Sequence, residues 1–296
     1  MVLEALDKEK YEIKMFDPRD DLPALVDAKG AIDIAMILLH GRFGEDGRIQ
    51  ALLDILGIPF VGSGVLSSAM AFNKKVAKVM YRAAGLKVPM DMVLRRNERI
   101  SPEEIAKALG SRTVVKPVAE GSSLGVSVCR DREGLLAGIE DAFEYDSEIL
   151  VEEYVEGQEI TCCVLGNQFL ETFPLVEIVP GERHRFFDYE AKYMPGASQE
   201  ICPARLSPAL AERARADAKA AHEALKCRVW SRTDMIIRSE EIYLLETNTI
   251  PGMTENSLFP RAARTAGLSL SDLLDRLIDL SMEDCRCDGK KSGDGG

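Results

Sequence analysis

The chain has 296 residues, with 37 Lys and Arg against 49 Asp and Glu, so its formal net charge is −12. That acid surplus argues against a nucleic-acid partner, because neutralising phosphate draws on excess Lys and Arg. At 46% hydrophobic and 29% charged residues the composition is globular, with no apolar run near the ~20 residues of a membrane helix and no secretory segment in MVLEALDKEKYEIK, so a cytoplasmic protein without a membrane partner is expected.

Residues 1–65 read as α/β with a parallel sheet. YEIKMF (11–16) and AIDIAMILL (31–39) are expected as strands, the second buried on both faces because it is almost continuously apolar. RIQALLDIL (48–56) is an amphipathic helix closed by Gly57, and IPFV (58–61) is a short strand. Residues 63–85 are helical, broken near 71–73 and stopped by Gly85. Ser101-Pro102-Glu103-Glu104 is a capping box with Pro at the first helical position, predicting a helix to about Leu109. TVVKPV (113–118) and VSVC (126–129) are strands around the turn AEGSSLG, a helix spans 131–145, and EILVEEYV (148–155) is extended. Strands follow at 159–165 and 168–178, then an irregular polar segment over 181–200. Ser207-Pro208 opens a helix to about Lys226, VWSRTDMIIR and EIYLLETNT form an antiparallel pair, and CDGKKSGDGG is a disordered tail. The second half is therefore α+β. Seven cysteines with no C-x-x-C pair are read as reduced thiols.

Gly121-Ser122-Ser123-Leu124-Gly125 matches the G-x-S-x-G elbow of serine hydrolases, which needs a helix after the turn. VSVC reads as a strand instead, leaving Ser123 as a hydrolase nucleophile only as the rival. The same turn is either a loop over phosphates, offering N–H groups and hydroxyls, or a plain hairpin. Lys116, in an apolar strand beside it, either meets phosphate or snorkels from an edge. Lys74, on a helix, says little by itself. In LETN, Glu246 and Asn248 are two apart and share a strand face. The short turn at Ser239–Glu240 brings Asp234 opposite or next to Glu246, and this oxygen-only set suits Mg²⁺ with nucleotide phosphates better than it suits zinc. A solvated hairpin is the plainer alternative, disfavoured by the apolar flanks. Arg232 shares the face of Asp234 and could clamp developing negative charge. Glu152, Glu153 and Glu159 bracket a connection that either meets a purine and ribose or is a solvated acidic loop. His40 ends the second strand, at a ligand crevice or in a structural role. His184 and His222 read as surface residues.

LHGRFGEDG (39–47), GIPFVGSGVLSSA (57–69), VVKPVAEGSSLGVS (114–127), DYEAKY (188–193) and LLETNTIPGMTENSLFP (244–260), in this order, resemble the D-alanine–D-alanine ligases of the ATP-grasp superfamily. The resemblance runs from about residue 2 to 284. It implies an ATP-grasp fold, α/β plus α+β: an N-terminal substrate domain (1–66), two ATP-gripping lobes (67–156 and 157–285) and a tail (286–296). It also implies ATP-dependent joining of two D-alanines through an acyl phosphate, for cell-wall precursor synthesis. On this resemblance Lys74 and Lys116 hold phosphates, Glu152, Glu153 and Val155 line adenine, and Glu159 takes the ribose. Asp234, Glu246 and Asn248 bind two Mg²⁺ or Mn²⁺ ions. Arg232 and the Gly252 backbone stabilise the tetrahedral intermediate, His40 lies near the first D-alanine, and Ser257 with Leu258 takes the second carboxylate. Lys192 and Tyr193 belong to a lid, Tyr193 reaching Ser122 and pointing to D-alanine as the second substrate. A homodimer is a further expectation. MVLEAL matches the helix after the family's opening strand and glycine-rich loop, whose glutamate holds the first ammonium. An exposed sheet edge and ATP binding with poor ligation are expected on that ground.

Overall fold

The structure, a computed structural model of the chain, describes residues 1–98, 101–121, 123–181 and 198–289. Helix α1 (Val2–Ala5) and helix α2 (Leu22–Asp27) precede α3 (Arg48–Leu56), where the amphipathic pattern predicts it. Gly57 ends α3 at φ 69°, its N–H turned back onto Asp54 and Leu53. The break near residue 73 separates α4 (Val65–Phe72) from α5 (Lys74–Ala83), and Asn73 caps α5 by accepting the Val76 N–H at 3.0 Å.

Strand β1 (Asp91–Arg95), helix α6 (Pro102–Leu109), β2 (Thr113–Pro117), β3 (Ser127–Cys129), helix α7 (Arg132–Tyr145) and β4 (Glu148–Glu153) build the first lobe. Ser101 caps α6 through the Glu104 N–H and Asp131 caps α7 through the Gly134 N–H. The four strands form an antiparallel sheet in the order β1-β4-β2-β3, with α6 and α7 packed on its apolar face.

The second sheet contains β5 (Gln158–Gly166), β6 (Glu171–Thr172), β7 (Val176–Pro180), β8 (Ser198–Ile201), β9 (Val229–Arg238) and β10 (Glu241–Asn248). Its order is β10-β9-β5-β7-β8, with β6 beside β5. Helix α8 (Pro208–Ala224) and α5 cover one face, where Ile160, Cys162 and Val164 point. Helices α9 (Leu258–Thr265) and α10 (Leu270–Gly289) cover part of the other, over Cys163, Leu165 and Trp230. Burial lifts the Cys162 thiol to about 12 and Cys163 well above its ordinary value. The described cysteines with assigned state, 129, 162, 163, 202 and 227, are all free thiols.

Several expectations need correction. YEIKMF and AIDIAMILL form no strand; the parallel pairing is a single bridge, Ala35 to Phe60. A strand exists only where a partner accepts its ladder bonds, and these stretches find almost none. Met15 and Leu38 are exposed, so AIDIAMILL is not buried on both faces. The predicted strand 168–178 is two strands, β6 and β7, interrupted at 173–175, and Ser198–Ile201 is strand where an irregular segment was expected. His222 is not on the surface: it is 1% exposed, bonds Ser231 Oγ at 2.7 Å, and burial pushes its pKa down to about 4. It extends the stripe Ala214–Ala218–Ala221 that α8 presses onto the sheet. Helix α10 reaches Gly289, beyond the expected boundary at 285, and 290–296 and His184 lie outside the described residues.

The two sheets are joined through residues 154–157. Gly157 lies so close to β9 that a Cβ there would stand 2.1 Å from the Ile237 carbonyl oxygen. Gly157→Ala is expected to cost about 2 kcal/mol or more, while Gly30→Ala, with open space around it, changes stability by less than about 0.5 kcal/mol. Thermal melts of the two variants check this.

Candidate active site

Strands β9 and β10 turn at Ser239 and Glu240, whose φ values of 50° and 66° suit a two-residue hairpin. The register sets Glu246 opposite Asp234 and Asn248 opposite Arg232, after an irregularity between Leu244 and Glu246. On the other side of β9, Thr161 faces Asp234 and Cys163 faces Arg232. Alternation therefore brings Thr161, Asp234 and Glu246 into one row across three strands. Asp234 is buried, and Arg232 grips it with a two-pronged bond, Nε to Oδ1 at 2.9 Å and Nη2 to Oδ2 at 2.8 Å. Asn248 Oδ1 accepts the Ile250 N–H at 2.8 Å.

Lys74 is held at the start of α5. Its N–H donates to the Val118 carbonyl and its Nζ to the Glu120 carbonyl at 2.5 Å, with Glu246 Oε2 3.9 Å away. Lys116 projects from β2 and meets Glu152 Oε2 at 2.9 Å. Lys78, one helical turn after Lys74, takes the other oxygen of Glu152 at 2.6 Å and also reaches Pro89 O at 3.1 Å. Burial pushes the Glu152 carboxyl up, but the two lysines outweigh it and hold it below its usual range. For Lys78 burial wins, and its pKa is lowered despite Glu152. The side chain of Glu152 is thus committed to two ammonium groups. Glu153 accepts the Met90 N–H at 2.9 Å and pairs with Arg238 at 3.6 Å.

These residues line one cleft of about 650 Å³ between the sheets: Lys74, Lys116, Glu152, Glu153, Val155, Glu159, Asp234, Glu246 and Asn248. Among the described residues no three His, Cys, Asp or Glu side chains converge as a metal cage. Two carboxylates and an amide oxygen nevertheless fit a hard cation that brings phosphate oxygens of its own.

The residue profiles of a known family match here: D-ala D-ala ligase C-terminus over residues 80–279 and D-ala D-ala ligase N-terminus over 18–63. A D-alanine--D-alanine ligase of Syntrophobacter fumaroxidans is 54% identical, covering 96% of this chain and 91% of its own. The chain belongs to the D-alanine–D-alanine ligase family. Two crystal structures of the Bacillus anthracis D-alanine--D-alanine ligase superpose on it. One has a TM-score of 0.85 at 37% identity, covering 97% of this chain and 91% of that one; the other, complexed with ATP, has 0.80 at 35%, covering 95% and 89%. The ATP-grasp architecture is shared with these ligases.

His40, Arg232, Gly252, Ser257 and Leu258 stand apart from the cleft lining. His40 is exposed, its pKa lowered by partial burial and by Arg232. Ser257 precedes α9 and accepts the Thr254 N–H at 3.0 Å, beside Gly252, while the Leu258 side chain is buried in the core under α9. Ser122, Lys192 and Tyr193 lie outside the described residues. Ser123 has a φ of 58° and the turn leads into β3, so the strand–turn–helix of a hydrolase elbow is not formed.

Sequence reasoning missed Lys78, Thr161 and Glu45. Lys78 was readable as i+4 from Lys74 on one helix stripe, whereas a lone Thr in an apolar strand carries no signal. Glu45 lies within LHGRFGEDG and lines the cleft. It is buried and accepts the Gly41 N–H, and a Cβ on Gly121 would come within 3.2 Å of its Oε2. Burial raises its pKa to about 7, with Glu246 adding to the rise and the Gly41 N–H, Arg232 and Lys74 opposing it. A folded pKa above the unfolded one means the native state binds the extra proton. Stability conferred by neutral Glu45 is therefore lost as pH climbs from the ordinary glutamate value through about 7. Glu45→Gln should melt less steeply with rising pH over that window than the wild type, as thermal scans at a series of pH values would show.

Proposed function

We propose that this chain joins two D-alanines to D-alanyl-D-alanine in the cytoplasm, with ATP cleaved to ADP and phosphate. The observation that carries this reading is a cleft that gathers two buried lysines, the inter-sheet connection and the carboxylate row. Lys74 and Lys116 bind phosphate oxygens, Lys116 being held in place by Glu152. The chain at Glu153 and Val155 meets adenine and Glu159 meets the ribose.

A carboxylate oxygen of the first D-alanine takes the γ-phosphoryl group and ADP leaves. The amine of the second D-alanine, having lost a proton, attacks the acyl carbon, and the C–O bond to phosphate breaks as the peptide bond forms. Arg232 and the Gly252 backbone offset negative charge on the tetrahedral oxygen. His40 lies by the first substrate, and Ser257 and the backbone of Leu258 take the second carboxylate. Asp234, Glu246 and Asn248 would hold Mg²⁺ or Mn²⁺, which neutralises phosphate charge. D-Alanine as the acceptor is read from the presence of Tyr193 in the sequence.

Phosphate release with ATP, Mg²⁺ and D-alanine should exceed that with L-alanine, D-lactate or D-serine; equal release with D-lactate at neutral pH would refute the acceptor assignment. Glu246→Gln should slow turnover by orders of magnitude. Near-normal rates for that variant at low Mg²⁺ would remove the metal assignment.

A further inference from the structure

Thr161 has no accessible surface, and its Oγ1 lies 2.6 Å from Asp234 Oδ1 and 3.1 Å from the Thr233 carbonyl oxygen. A threonine hydroxyl has one proton. The shorter bond, to a charged acceptor, is the stronger, so the proton goes to Asp234. Oδ1 then accepts from two donors, Thr161 and Arg232 Nε, while Oδ2 accepts from Arg232 Nη2. A carboxylate oxygen has two lone-pair sites. Thr161 therefore fills Oδ1 and leaves the open site of Asp234 on Oδ2.

We propose that Thr161 is a positioning residue for the metal site: it locks the Asp234 carboxylate so that Oδ2 alone faces the cation. This rests on the reading that Asp234 binds the metal. The register supports it, because Thr161, Asp234 and Glu246 are direct cross-strand neighbours on one sheet face. Arg232 alone could follow the carboxylate as it turns; Thr161, on a central strand, could not. Thr161 thus fixes which oxygen is offered.

The test is Mn²⁺ binding, read as loss of the free-ion electron paramagnetic resonance signal in the presence of a non-hydrolysable ATP analogue. It compares wild type, Thr161→Val, Thr161→Ser and Asp234→Asn. Losing an outer hydrogen bond to a ligand typically weakens metal binding about 10–100-fold. Thr161→Val should do so, and Thr161→Ser, which restores the donor, should return to within about threefold of wild type. The Mg²⁺ concentration giving half-maximal phosphate release should shift in parallel, with kcat at saturating Mg²⁺ changing far less. Wild-type Mn²⁺ affinity in Thr161→Val, with Asp234→Asn weakened, overturns the positioning role and leaves the metal reading intact. Wild-type affinity in Asp234→Asn as well removes the metal reading, and the role of Thr161 with it. Should the valine variant fail to fold, Thr161→Cys, a weaker donor, is expected to weaken Mn²⁺ binding in the same direction, and wild-type affinity there is again a refutation.

Discussion

The ladder β5–β9–β10 sets the geometry of the cleft, because antiparallel pairing sends alternate residues to one face and a one-residue slip reverses them all. A slip of β10 would turn Glu246 and Asn248 inward and bring Thr247 out. Thr247 is instead held inside, accepting the Tyr81 hydroxyl at 2.7 Å and lying 3.0 Å from Thr233 Oγ1. Those hydroxyl bonds lie on the face opposite the carboxylates, so the register is guarded from behind. The two-residue turn at Ser239–Glu240 guards it at the end of the hairpin.

Helix α5 links this ladder to the other sheet, and its two faces use different chemistry. Ala77 and Tyr81 pack into the core with Ile160, Met235 and Leu244. Lys74 and Lys78 turn toward the four-stranded sheet, where Glu120, Glu152 and Asp91 receive them. Burying such charges is costly unless each is paired, and here one carboxylate, Glu152, serves two lysines. The arrangement gives Lys116, on the wall of the cleft, and Lys78, behind it, one buried counter-charge in common.

The elements readable from sequence were those specified locally. The helix starts at Ser101-Pro102 and Ser207-Pro208, the glycine after α3 and the short hairpin turn each act within a few residues. The carboxylate row was legible too, since a two-residue turn leaves few registers for Asp234 and Glu246. YEIKMF and AIDIAMILL had the composition of strands, but pairing depends on a distant neighbour that composition does not supply. His222 was misread for the opposite reason: its charged surroundings on α8 hid a stripe of alanines at 214, 218 and 221. Glu45 stood inside a motif of the family resemblance, yet only packing against Gly41 and Gly121 turns an ordinary glutamate into a buried one.

The adjacent thiols of β5 carry a consequence for measurement. Cys162 points under α5 and α8 and Cys163 under α9, so the central strand presents sulfur to both hydrophobic cores. Their high pKa values leave almost no thiolate at neutral pH. An alkylating reagent must therefore wait for the covering helices to lift from the sheet, α5 and α8 on one side or α9 on the other. The rates at which these two sulfurs are modified are two clocks, one for each helical layer leaving its face of the sheet, each set by the free energy of that local opening.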